Sequence, residues 1–161
     1  SDEVYKEILS KYDNVIILRT LSKAFGLAGV RCGILISSDE ICQYIERVIP
    51  PYSFSTPAVN AVIESLSDEG IKESKRNIEI IIEDRRWLET ELESLDEVIE
   101  VFQSYTNFIL VKVNDAKAFC KKSQDLGFLL RDVSYQPLLE NCVRITVGTT
   151  EQNQKLIRGL K

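Results

Sequence analysis

The most regular pattern in the chain is a long series of apolar residues at helical spacing. After Gly70, isoleucine and leucine fall at positions that share one face of a helix, with Lys, Glu and Arg between them; these are Ile71, Ile78, Ile81, Ile82, Leu88, Leu92 and Leu95. This periodicity predicts a long amphipathic helix. A shorter helix precedes it, with Thr56 predicted as its N-cap, Pro57 at its first position and its end near Gly70.

Beyond residue 97 the pattern changes to short apolar strands alternating with helices. Strands are predicted at "VIEVF", "NFILVKV", "FLLRD" and "CVRITV". A helix from about Asp115 ends at Gly127, and a last helix opens with Thr149 and Gln152, the spacing of a capping box. The order β-β-α-β-β-α predicts a compact α/β unit with two helices on one face of its sheet.

The front of the chain has helix and strand patterns but few of each. "DEVYKEILSKY" predicts a helix, "VIIL" and "CGILIS" predict buried strands, and "DEICQYIERVI" predicts a helix stopped by Pro50 and Pro51. Two strands are too few for a sheet covered on both faces, so this part is expected to belong to something larger. We therefore predict three parts: residues 1–60, connecting helices over 61–96, and an α/β domain over 97–161.

The composition of the chain argues against several classes of function. The net charge is −5, which argues against nucleic-acid binding, and no apolar run approaches the roughly 20 residues of a membrane span, which favours the cytoplasm. There is no histidine, so Ser-His and Cys-His nucleophiles are excluded. The four cysteines form no CxxC pair, and reduced thiols without a metal site are expected.

The stretch "RTLSKAFGLAGVR" gathers groups that bind anions. Thr20 and Ser22 supply hydroxyls, and Arg31 supplies a planar fork of donors suited to a phosphate dianion. Lys23 can do covalent chemistry only as a neutral amine. Lys23 precedes the glycines, so the stretch is not a P-loop. The pattern is typical of a phosphorylated aldehyde, pyridoxal phosphate, beside its lysine, and a surface lysine with a salt-bridging arginine is the open alternative.

Several blocks together carry a family resemblance. "ILRTLSKAFGLAGVRCG", "PPYSFSTPA", "TNFILVKV", "LLRD" and "VRITVGT", in this order, resemble the C-terminal half of histidinol-phosphate aminotransferase, a fold-type I, class II pyridoxal-phosphate enzyme. The similarity runs over nearly the whole chain. It implies an α/β fold made of the end of the large cofactor-binding domain and the small C-terminal domain.

The resemblance also implies roles for single residues. The lysine of "TLSKAF", here Lys23, forms an imine with the cofactor, and Ser22, Thr20 and Arg31 hold the cofactor phosphate.

Two further arginines match substrate-binding positions of the family. The arginine of "VRIT", Arg144, grips the anionic end of the substrate, and the arginine of "LLRD", Arg131, lines the substrate phosphate pocket. Because both lie in apolar strands, a structural ion pair is the alternative for each.

The implied activity is transfer of an amino group between histidinol phosphate and 2-oxoglutarate by a homodimer. The family's N-terminal half carries the aspartate for the pyridine nitrogen, and no motif here matches it, so the chain alone is expected to be inactive. The open alternatives are a sister enzyme, such as threonine-phosphate decarboxylase or an aromatic aminotransferase, and a non-catalytic dimerisation remnant.

Overall fold

The chain forms two compact units. The computed structural model describes the backbone of residues 2–161 and the side chains of residues 4–161. Contacts group the chain into a front unit, Ser1–Lys75, and a back unit, Arg76–Lys161. The predicted three-part division with limits at residues 60 and 96 stays a prediction. In the described part of the chain, none of the helices has both the length and the apolar character of a membrane span.

The front unit is built on one antiparallel pair of strands, β1 and β2. The ladder runs from Ile17 opposite Ile36 to Thr20 opposite Gly33, so residues 21–32 connect the two strands at one end. A single 3₁₀ turn, Ala28–Val30, lies in this connection. The regular elements are α1 (Asp2–Lys11), β1 (Ile17–Thr20), β2 (Gly33–Ile36), α2 (Asp39–Glu46) and α3 (Thr56–Ser65).

The two strands of the front unit keep much of their apolar surface exposed. Leu18 is 73% exposed, and Ile34 and Ile36 are also exposed. Buried strands are normally apolar on a face that another layer covers. The prediction that "VIIL" and "CGILIS" form buried strands is therefore wrong, since neither β1 nor β2 has a buried residue. The exposure fits the expectation that this part is too small for a sheet covered on both faces.

The junction of α3 with the long helix α4 (Asp68–Glu93) differs from the prediction. Ser55, not Thr56, is the N-cap of α3, and Pro57 lies in its first turn. Gly70 does not end a helix; it lies in the first turn of α4, where its N–H donates to Ser67 Oγ at 3.1 Å. A Cβ at Gly70 would lie 2.6 Å from the carbonyl oxygen of Glu64, so glycine is required by close packing.

The back unit has the predicted order of elements. They are β3 (Val98–Phe102), β4 (Phe108–Val113), α5 (Ala116–Asp125), β5 (Arg131–Asp132), β6 (Cys142–Thr146) and α6 (Thr150–Leu160). The strands form one antiparallel sheet in the order β3-β4-β6-β5. The predicted strand "FLLRD" is shortened to two residues, because the Phe128 N–H donates to the Ser123 carbonyl at the end of α5 instead of to the sheet.

One face of this sheet forms the core of the back unit. Alternate residues of β4 and β6 are fully buried, namely Ile109, Val111, Val143 and Ile145. They pack with apolar side chains of α5, α6 and the last turns of α4, among them Phe119, Leu156, Leu88 and Leu92. The alternation directs Arg144 to the opposite face, away from the core.

Helix ends in the back unit follow the sequence signals. The Asp115 carboxylate caps α5 by accepting from two backbone N–H groups, and Gly127 follows the helix at φ 89°. The predicted capping box of α6 is confirmed: Thr149 Oγ1 accepts from Gln152 N at 3.3 Å, and the Thr149 N–H donates to Gln152 Oε1 at 2.9 Å.

Candidate active site

Lys23 lies in a tight turn directly after β1. The Gly26 N–H donates to the Lys23 carbonyl at 3.1 Å, and the Leu27 N–H donates to the Leu21 carbonyl at 3.1 Å. Gly26 adopts φ 66°, a backbone conformation that favours glycine. Leu21 is buried and anchors the start of the turn. The turn therefore has a defined backbone, which fixes the point where the lysine side chain leaves the chain.

The hydroxyls on either side of Leu21 are held together. Thr20 Oγ1 donates to Ser22 Oγ at 2.9 Å and accepts from the Ser22 N–H at 3.1 Å. Because Ser22 Oγ accepts the Thr20 hydroxyl proton, its own proton can be donated to a ligand. This local turn presents a hydroxyl donor one residue before Lys23, as an anion site requires.

Arg31 lies at the end of the β1–β2 ladder where the turn containing Lys23 begins. Because Thr20 pairs with Gly33, the chain passes Arg31 at the end of the sheet from which Ser22 departs. Arg31 adopts φ 57° and ψ 32°, a left-handed conformation that costs a non-glycine residue about 1 kcal/mol or more. Its Nη1 donates to the Ala28 carbonyl at 3.4 Å. Strain at a residue predicted to bind the cofactor phosphate is consistent with a functional position.

The Lys23 side chain is exposed. Across the described residues no hydrogen bond or ion pair engages its ammonium group. The amine is therefore accessible, but the described residues do not enclose it, and the Arg31 guanidinium contacts a carbonyl of its own loop.

Ser74 is a supporting residue that the sequence analysis missed. It lies in α4, is 8% exposed, and its Oγ donates to the Ala24 carbonyl at 2.7 Å. This bond ties the helix to the residue after Lys23. One signal was available in the sequence, since Ser74 interrupts the apolar series between Ile71 and Ile78 at helical spacing.

The two predicted substrate arginines are direct neighbours in the back unit. Arg131 of β5 lies opposite Arg144 of β6 in the antiparallel register. Like charges directly opposite each other destabilise a sheet. Among the residues with described side chains, neither guanidinium forms an ion pair with a carboxylate, so the structural ion pair considered above finds no partner there.

Arg144 also has an unsatisfied donor. Its guanidinium carbon lies 5.1 Å from the centre of the Phe108 ring, a cation–π contact that fixes the side chain. Its Nε is buried and has no hydrogen-bond partner in the described part of the chain. A buried donor on a cation calls for an acceptor, and an anionic ligand would supply it. Phe108 was missed by the sequence analysis, because only the strand register places it beside Arg144.

Two cysteines of the back unit lie in surroundings that disfavour the thiolate form. Burial raises the pKa of both Cys120 and Cys142, which keeps these thiols protonated and weakly nucleophilic at neutral pH. All four cysteines are free. Within residues 2–161, no group of three or more metal-ligating side chains is suitably placed to hold an ion.

The predicted site residues thus form two groups. Thr20, Ser22, Lys23 and Arg31 lie on one connection at the end of the β1–β2 ladder in the front unit. Arg131 and Arg144 face each other in the back unit.

We predict that Ser74→Ala loosens the turn that carries Lys23. Loss of one buried hydrogen bond, worth about 1 kcal/mol, should speed local hydrogen exchange at the Gly26 and Leu27 amides about fivefold. Ser94→Ala is a matched control, since Ser94 Oγ donates to the Glu91 carbonyl in the back unit. Equal exchange rates at the two amides in wild type and Ser74→Ala would contradict the assigned support.

Comparison with protein families identifies the chain's relatives. Residues 3–160 match the family model "Aminotransferase class I and II". Histidinol-phosphate aminotransferase of Shigella flexneri serotype 5b (strain 8401) is 40% identical over 170 residues, covering 100% of this chain and 48% of that protein. The chain thus spans about half the length of the curated relatives it matches.

Solved structures show the same fold. Histidinol-phosphate aminotransferase from Clostridium acetobutylicum superposes with a TM-score of 0.85 at 25% identity, over 98% of this chain and 48% of that one. The enzyme of the same name from Sinorhizobium meliloti, in complex with pyridoxal-5'-phosphate, gives 0.70 at 26%, over 92% and 40%. L-threonine-O-3-phosphate decarboxylase from Porphyromonas gingivalis gives 0.75 at 26%, over 96% and 48%.

These matches confirm the predicted fold class and the predicted resemblance. The family model covers nearly the whole chain, from the helix before β1 to the end of α6. The chain therefore belongs to the class I and II aminotransferases, which are pyridoxal-phosphate-dependent enzymes.

Proposed function

We propose that this chain carries the cofactor lysine and the substrate arginines of an aminotransferase of histidine biosynthesis. The reaction transfers an amino group between histidinol phosphate and 2-oxoglutarate, giving imidazole-acetol phosphate and glutamate. One observation carries the proposal: an accessible lysine in a closed turn, flanked by a hydroxyl pair and by a strained arginine at one end of a strand ladder. The 40% identity to a histidinol-phosphate aminotransferase supports the choice of substrate.

The residues of the front unit fit pyridoxal phosphate. Lys23 would bond to its aldehyde carbon, and the hydroxyl of Ser22, oriented by Thr20, would donate to its phosphate together with Arg31. When bound, the cofactor supplies an electron-withdrawing ring that stabilises negative charge at the substrate carbon.

The amine of Lys23 also has a proposed role in proton transfer. With the cofactor bound, the neutral Nζ of Lys23 would move the proton at the substrate carbon that carries the amino group. The turn closed by the Lys23–Gly26 hydrogen bond fixes the backbone from which this side chain reaches the proton. Ser74 supports that turn through the Ala24 carbonyl.

The arginine pair of the back unit would bind the anionic ends of both substrates. Histidinol phosphate carries a phosphate and glutamate carries carboxylates, and a guanidinium can bind either with two parallel hydrogen bonds. An anion between Arg131 and Arg144 would offset their mutual repulsion and accept from the buried Nε of Arg144.

A sister enzyme is the second candidate. The likeness to L-threonine-O-3-phosphate decarboxylase favours it, since that protein shares the fold at similar identity. The two activities differ in product, because a decarboxylase releases carbon dioxide and needs no amino acceptor. An aromatic aminotransferase would use the same lysine but would not require a substrate phosphate.

We predict that Lys23 is the cofactor lysine of the intact protein. Borohydride reduction in the presence of pyridoxal phosphate should place the cofactor mass on the peptide containing Lys23. Lys23→Ala should lose this label and lower turnover about a thousandfold or more. Lys72→Ala, which removes another exposed lysine of the front unit, should keep both label and turnover. A label on any other lysine would contradict the assignment.

We expect Arg144→Lys to raise the KM for both anionic substrates about tenfold or more, because an ammonium group cannot replace a bidentate guanidinium stacked on Phe108. Steady-state kinetics on the intact protein measure it. Arg158→Lys, at an exposed position of α6, is the matched control and should leave KM unchanged. An unaltered KM in Arg144→Lys would remove this arginine from the substrate site.

We further propose that the parent enzyme is a homodimer and that the 161 residues do not sustain turnover alone. The family's partner for the pyridine nitrogen has no match in this sequence, so the ring would lack the charge that makes it an electron sink. We expect the isolated chain, supplied with pyridoxal phosphate, to show no transamination above background. Turnover that disappears with Lys23→Ala would overturn this, whereas dimerisation without turnover would suit a non-catalytic module.

A further inference from the structure

The turn between β3 and β4, residues 103–107, leaves Phe108 without a strand partner on one side. The Val147 N–H donates to the Asn107 carbonyl at 2.9 Å, so the backbone groups of Asn107 face β6. In an antiparallel ladder these groups face the two neighbouring strands alternately, and those of Phe108 therefore face β3. β3 ends at Phe102, which pairs with Leu110, so this strand stops two residues short of the position opposite Phe108.

Two hydroxyl groups replace the missing strand partner of Phe108. Ser104 is the residue that the register would set opposite Phe108, and its Oγ donates to the Phe108 carbonyl. Thr106 Oγ1 donates to the same oxygen at 3.1 Å and accepts from the Phe108 N–H at 3.3 Å. Ser104 Oγ also accepts from the Thr106 N–H at 3.1 Å. Both polar backbone groups of Phe108 are thus bound by side chains, which fixes its backbone at the end of the ladder.

The same turn is bound to α4 through Arg85. Arg85 Nη1 donates to the Thr106 carbonyl at 3.1 Å, and its Nε lies 3.4 Å from Glu89 Oε1. Arg85 is 8% exposed, and a buried guanidinium is costly unless its donors find acceptors. The Thr106 carbonyl is one of those acceptors, so the burial of Arg85 restricts where the turn can lie.

Phe108 carries the ring that contacts Arg144. It lies opposite Thr146, two residues from Arg144 along β6, and this diagonal spacing is within reach of an aromatic ring and a long side chain. The centre of the ring lies 5.1 Å from the guanidinium carbon of Arg144. An arginine loses side-chain entropy when an anion holds it in one conformation, and a ring that is already fixed beside it lowers that cost.

We propose that Ser104 and Thr106 are positioning residues for the anion-binding guanidinium of Arg144: their hydroxyl groups fix the backbone of Phe108, and the Phe108 ring then holds the guanidinium in place. The inference deepens the proposed function and rests on it for the identity of the anionic substrates. Neither hydroxyl needs to contact the substrate, since both act through Phe108.

Thr106→Val tests this role in the intact protein, because it removes the hydroxyl but keeps the shape of the side chain. The KM for both histidinol phosphate and glutamate should rise about three- to fivefold, with kcat within about twofold, since the change affects anion binding and not proton transfer. Thr106→Ser, which restores the hydroxyl, should keep both KM values near those of the wild type. An unchanged KM in Thr106→Val, whatever its kcat, or an equal rise in Thr106→Ser, would overturn the proposal.

A double-mutant cycle shows whether Thr106 acts through the ring. Phe108→Leu should raise KM by itself, and adding Thr106→Val to it should cause no further rise. Thr90→Val is the matched control, since Thr90 Oγ1 also donates to a backbone carbonyl of the back unit, that of Arg86 at 3.1 Å. It should leave KM unchanged in both backgrounds. Additive effects at Thr106 and Phe108, or an equal rise in Thr90→Val, would contradict the positioning role.

A binding measurement separates this inference from the proposed function. Calorimetric titration of the intact protein, loaded with pyridoxal phosphate, should reveal a site for inorganic phosphate that Arg144→Lys weakens. Thr106→Val should weaken the same site about three- to fivefold, and Thr106→Ser should not. This result in a protein without transaminase activity would keep the positioning role and reject the proposed function. Absence of such a site, or an unchanged phosphate affinity in Thr106→Val, would reject the positioning role, whatever the activity.

Discussion

Two positive charges held directly opposite each other in one sheet are the feature on which the functional interpretation depends most. The register of β5 and β6 fixes Arg131 against Arg144, and the buried residues on either side of Arg144 prevent that register from slipping. A slip by one residue would expose Val143 and Ile145 and bury a guanidinium. The core of the back unit thus enforces a repulsion that an anion can relieve.

In the front unit, strand pairing likewise determines where the predicted cofactor-binding residues lie. An antiparallel ladder must bring both ends of its connection to the same place, and here those ends carry the hydroxyls of Thr20 and Ser22 and the side chain of Arg31. Lys23 is fixed within the connection by backbone hydrogen bonds and by Ser74. The eight-residue spacing of lysine and arginine in the sequence is therefore a consequence of one loop closing on itself.

Periodicity and cap residues predicted the order of elements in the back unit and most of their limits. The alternation in β4 and β6, the glycine after α5 and the capping box of α6 all act locally, and each was confirmed. Gly70 was misassigned because its role depends on carbonyl groups of the preceding helix, not on its neighbours in sequence. The strand before Arg131 was overestimated for the same reason, since α5 takes up the Phe128 N–H.

The motif residues of the site could be predicted, whereas their supporting residues could not. Lys23, Arg31 and Arg144 stand in recognisable blocks of sequence. Phe108 is an ordinary aromatic residue whose position beside Arg144 arises from the register of β4 and β6. Contacts of this kind depend on tertiary structure, so no local sequence pattern predicts them.

A crystal structure of the intact protein with pyridoxal phosphate and histidinol phosphate tests the central claim most directly. The account predicts cofactor density at the Lys23 side chain and the substrate phosphate within hydrogen-bond distance of both Arg131 and Arg144. A substrate phosphate bound elsewhere, with both guanidinium groups paired to carboxylates of the protein, would contradict it.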